Sequence, residues 1–62
     1  MDGIKVVYKV AMSIQASMML TITRLDIKYN AIDDCYFADM NLGLGNGYEY
    51  RIYDDGSWYR RD

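Results

Sequence analysis

The chain is 62 residues long, carries a net charge of −2, and contains one cysteine and no histidine. One small domain fits that length, and the composition excludes an internal disulfide, a histidine-based zinc centre and any general attraction to nucleic acid or anionic membrane. A hydrophobic share of 52%, with 15% aromatic, is too high for a disordered chain. A lone unpaired thiol fits a reducing compartment, so a cytoplasmic location is expected. The most apolar run, residues 10–22, includes Ser13, Gln15 and Ser17 and is too short to span a bilayer.

Residues 4–29 carry the dominant pattern. Ile4, Val6, Tyr8, Val10, Met12 and Ile14 are apolar at every second position, and Met18, Leu20 and Ile22 resume the alternation. Leu25, Ile27 and Tyr29 continue it one residue out of phase. Period two predicts an antiparallel hairpin with its loop at Gln15, Ala16 and Ser17, and the phase slip predicts a β-bulge at Thr23 and Arg24. The rival is a helix from Ala11 to Leu20, built on the good helix formers Ala, Met, Gln and Leu.

Residues 31–41 read two ways. As a helix, Asn30 is the N-cap, Asp33 and Asp34 sit in the first turn, and Gly43 is the stop. As a strand, Cys35, Tyr36 and Phe37 have the right propensity while Asp39 and Asn41 do not. The glycine-rich stretch 43–47 predicts a flexible loop.

Residues 48–61 predict a second hairpin around Asp54, Asp55 and Gly56. With Gly56 in a left-handed position, Ile52 faces Trp58, Arg51 faces Tyr59 and Glu49 faces Arg61. The competing register sets Arg51 against Arg60 and Glu49 against Asp62, both like-charged, and is rejected on that ground. The fold expected is mainly β: a bent antiparallel sheet or small barrel of two hairpins, with a short helix at 31–41 as an option. The alternative is an α+β arrangement in the order ββαββ.

The standard catalytic arrangements are missing. A serine triad needs histidine, and Cys35 lies beside acids that raise rather than lower a thiol pKa. Asp39, Asn41 and Gly43 start a calcium-loop pattern that fails at its fifth, sixth and twelfth positions. Gly43, Gly45 and Gly47 do not have phosphate-loop spacing. The chain therefore reads as a non-enzyme without cofactor or metal.

Two features point to binding. No Lys or Arg occurs between Tyr29 and Tyr50, where Asp33, Asp34, Asp39 and Glu49 fall; an acidic patch of that kind suits a basic protein surface. Tyr48, Tyr50, Tyr53, Trp58 and Tyr59 crowd the second hairpin with Arg51, Arg60 and Arg61 among them, and Tyr, Trp and Arg dominate binding hot spots. The expected partner-binding residues are Asp33, Asp34, Asp39, Glu49, Tyr50, Arg51, Tyr53, Trp58 and Tyr59. The expected role is docking on a larger protein, in the manner of a viral or mobile-element inhibitor of a host protein, such as an anti-CRISPR-type anti-defence protein. Nucleic-acid binding through Trp58, Tyr59 and the arginines is the alternative. A structural homodimer is the third reading.

Overall fold

A computed structural model describes residues 3–43, 45 and 47–61. The protein is mainly β: helix α1 (Gly3–Met18) precedes four strands, β1 (Ile22–Asn30), β2 (Cys35–Leu42), β3 (Gly47–Ile52) and β4 (Trp58–Arg61). The strands form one antiparallel sheet in the order β1-β2-β3-β4. The sheet is not closed, so the barrel option is corrected: β1 and β4 are both edges.

The N-terminal hairpin is also corrected, because its first arm is α1. Val7, Val10, Ala11 and Ile14 are the buried residues of that helix, spaced i, i+3, i+4, i+7 as one helical stripe. The alternation at even positions misleads because it contains two rows at i, i+4. Val6, Val10 and Ile14 form the row beside the core, and Ile4, Tyr8 and Met12 form a second row on the flank. The helix ends in a reversing turn in which Met19 N–H donates to Ala16 O (3.4 Å) and Leu20 N–H to Gln15 O (3.3 Å). Met19 takes a left-handed φ of 55° there, a position glycine usually fills. Gln15 Oε1 accepts from Ile22 N–H at 2.8 Å and ties the helix flank to the start of β1.

The bulge lies where the phase slip predicts it, but with a different partner strand. The register slips between Ile22 and Arg24, and β1 pairs with β2, from Arg24 opposite Asn41 to Asn30 opposite Cys35. The helix option at 31–41 is corrected to a strand preceded by one turn. Asn30 does cap: its Oδ1 accepts from the N–H groups of Ile32 and Asp33, both at 3.0 Å. The turn stops at Asp34, whose φ is 51°, and Tyr36, Ala38, Met40 and Leu42 then alternate on the helix-facing side of β2. The β3–β4 hairpin has the expected register, with Ile52 opposite Trp58, Arg51 opposite Tyr59 and Glu49 opposite Arg61. Gly56 has a φ of 90°, where a side chain would be strained. Leu44 and Asn46 of the predicted glycine-rich loop lie outside the described residues.

The core lies between α1 and one sheet face. Val7, Val10, Ala11 and Ile14 pack with Ala38, Met40, Leu42, Tyr50 and Ile52, and Leu25, Ile27, Tyr36 and Tyr48 border the cluster. Ala38 is fully buried; its small side chain suits a close approach of the helix over the middle of the sheet. No helix among the described residues is long and apolar enough to cross a membrane.

Candidate interaction surface

One helix covers one face of a four-stranded sheet, so the other face is open. Strand alternation and the pairing registers assign that open face. Lys28, Phe37, Arg51 and Tyr59 form one row across the strands, and Asp26, Asp39, Glu49 and Arg61 form the next.

Arg51 is the centre of this surface. Its guanidinium lies over the Phe37 ring at 4.4 Å, and its Nη1 donates to Asp33 Oδ2 at 3.2 Å. Its Nε is 3.8 Å from Glu49 Oε1; both atoms are shut off from solvent and are charge-paired without a hydrogen bond. Arg61 Nη1 reaches the same carboxylate at 3.9 Å. Tyr53 and Tyr59 stack at 6.3 Å beside this group, and the hydrogen bond between them raises the Tyr53 pKa. Asp26, Asp39 and Glu49 stand directly opposite one another on three neighbouring strands, an arrangement that repels. Arg24 pairs with Asp26 at one end of that row.

The residues expected to bind a partner divide three ways. Asp33, Asp39, Glu49, Arg51, Tyr53 and Tyr59 come together on or beside the open face. Asp34 sits in the β1–β2 turn and accepts a 2.6 Å hydrogen bond from the Tyr29 hydroxyl, which raises the Tyr29 pKa. Tyr50 and Trp58 lie on the helix side. Tyr50 is 2% exposed and belongs to the core, so its placement in a binding surface is corrected. Trp58 tilts against it at 5.6 Å, and its exposed part lines a groove with Val6, Val10 and the loop at 54–56. The dense aromatic run is therefore divided between two faces by the period of two. Among the acids of the expected acidic patch the fold also brings Arg24, Arg51 and Arg61, distant in sequence.

Sequence reading missed Phe37 and Lys28, which the open face places in line with Arg51 and Tyr59. The signal was Lys28 in β1 and Phe37 in β2, which are brought into line with Arg51 and Tyr59 only once the strands are paired.

Cys35 is buried at the start of β2. Burial, with Asp33 adding to it, pushes its thiol pKa above the ordinary 9.0, which keeps it a poor nucleophile. Among the described residues, no group of three His, Cys, Asp or Glu is placed to hold a metal ion. Compared with protein-family models, curated proteins and solved structures, the chain gives no match.

Proposed function

We propose that this protein is a non-enzymatic docking module that binds a larger protein through the open face of its sheet. One observation carries the reading: a sheet face left uncovered by the only helix among the described residues, bearing a preordered set of Arg51, Phe37, Tyr53 and Tyr59 flanked by paired charges. Aromatics and arginine held by neighbours lose little freedom on binding, which is the property of hot-spot residues. Two adjacent rows of opposite sign, Lys28 and Arg51 in one and Asp26, Asp39 and Glu49 in the next, favour a protein partner of complementary pattern over a uniform polyanion. The class of target rests on size and type alone: a small, mildly acidic, compact chain suits an inhibitor that a virus or mobile element directs at a host protein such as a defence effector.

The test is affinity capture from host lysate with the wild type and with the open-face variants Tyr59→Ala and Asp39→Lys. Both variants are expected to lose proteins that the wild type captures, while Met12→Ala, on the opposite side of the molecule, retains them. Identical captured sets from wild type and open-face variants would overturn the proposal. Nucleic-acid binding is the second reading, favoured by the single row of Lys28, Phe37, Arg51 and Tyr59. It requires salt-dependent binding of a single-stranded oligonucleotide, and no binding below about 100 mM salt would remove it.

A further inference from the structure

The two edges of the sheet are not equally protected. β4 has four residues, with Arg60 and Arg61 among them. Short, charged edges of that kind resist pairing with another strand. β1 has nine residues, and the side chains it turns toward the helix side are Ile22, Leu25, Ile27 and Tyr29, none of them charged. Nine extended residues span about 30 Å, close to the 31 Å long dimension of the molecule. Beside this edge runs the second apolar row of α1. Gln15 bonds to the start of β1, and Tyr8 lies two turns before it on the same side of the helix. Tyr8 is 54% and Met12 60% exposed, with Tyr29 at 52% on the strand below. A long unpaired backbone edge thus adjoins large apolar side chains that the fold leaves uncovered.

We propose that this edge is covered by a second copy of the same chain. Two β1 strands pair antiparallel about a twofold axis at Ile27, joining two four-stranded sheets into one of eight. Charge decides between the registers that overlap the regular stretch 24–30 most fully, since the bulge between Ile22 and Arg24 interrupts the strand before it. A twofold pairing that keeps both helices on the same side must centre on a residue. Centred on Asp26, it sets Asp26 against Asp26 and Arg24 against Lys28 of the other copy, all like-charged. Centred on Ile27, it sets Asp26 against Lys28 in both directions, Leu25 against Tyr29, and Arg24 against the neutral Asn30. The second arrangement is favourable on both faces. The Tyr8 and Met12 rows of the two helices then face each other above Leu25, Ile27 and Tyr29. The contact shares Asp26 and Lys28 with the margin of the open face, but the docking variants at Tyr59 and Asp39 leave the β1 edge intact, so either proposal can fail without the other.

Sedimentation equilibrium tests it. The wild type is expected to form a dimer, and Lys28→Asp and Asp26→Lys are each expected to weaken it about tenfold or more, because two symmetric pairs turn repulsive. Both side chains are exposed, so both variants should keep the wild-type circular dichroism spectrum. An equimolar mixture of the two variants is expected to restore the dimer, since each then supplies the charge that the other lacks. A wild type that stays monomeric up to about 1 mM overturns the proposal, as does a dimer indifferent to both substitutions. A mixture that remains monomeric overturns it too.

Discussion

Ile14→Ala is expected to leave the domain largely unfolded at 25 °C, while Met12→Ala, two residues away, is expected to change the stability of the monomer, measured at high dilution, by less than about 0.5 kcal/mol. Ile14 is 2% exposed and belongs to the core between α1 and the sheet, whereas Met12 is 60% exposed on the flank. Truncating a buried isoleucine costs about 2–5 kcal/mol, and a domain of this size without disulfide or metal has roughly 3–5 kcal/mol in total. The loss therefore equals most of the available stability. Urea titration followed by Trp58 fluorescence measures both variants. Two-residue spacing makes the pair decisive: in an N-terminal strand Met12 and Ile14 share one face and cost alike, and on a helix they point about 200° apart. Equal costs would contradict the helix.

Arg51→Ala is expected to have the second-largest effect, lowering stability by about 1–2 kcal/mol. The side chain is 16% exposed and serves three neighbours at once: the Phe37 ring, Asp33 and Glu49. Removing it takes away one cation–π contact, an ion pair to the exposed Asp33 and a solvent-shielded pairing to Glu49. It also leaves the row of Asp26, Asp39 and Glu49 with less compensation. Added salt should therefore recover part of the loss in the variant, by screening like charges, while doing little for the wild type. Arg51→Lys should recover less than half, because an ammonium neither stacks on the ring nor spans two carboxylates as a planar fork does. Thermal denaturation at low and high salt reads all three proteins. A variant as stable as wild type at low salt would show that the open face is not organised around Arg51.

The parts of the fold that were legible in the sequence are those where a local rule had a single solution. The β3–β4 register follows from Gly56 and from the like charges of the rejected pairing. The bulge at Thr23 and Arg24 follows from the phase slip between Ile22 and Leu25. The helix was not legible from alternation, because Ile4, Val6, Tyr8, Val10, Met12 and Ile14 satisfy period two and also two helical rows at i, i+4. Signals that separate the readings were there: Val7 and Ala11, apolar at odd positions, complete the helical stripe, and the expected turn at 15–17 lacks Gly, Asn and Pro. The connector misled in the opposite way. Asn30 caps N–H groups as a helix start does, yet the alternation of Tyr36, Ala38, Met40 and Leu42 makes the segment after the turn a strand.

The candidate surface was legible only in part, for a reason of dimension. Sequence density groups Tyr48, Tyr50, Tyr53, Trp58 and Tyr59, but a strand sends neighbours to opposite faces, so Tyr50 enters the core while Tyr59 reaches the open side. The acidic segment likewise gains its arginines from β1, β3 and β4, which no linear window contains.

Both proposed surfaces depend on α1 shielding one face of the sheet and leaving the other bare. Backbone chemical shifts and nuclear Overhauser contacts of residues 3–18 in solution test that most directly. Helical shifts are predicted through Met18, with methyl contacts from Val7, Val10 and Ile14 to Met40, Leu42 and Ile52. Extended shifts over residues 4–14, with cross-strand contacts to residues 18–29, would contradict it.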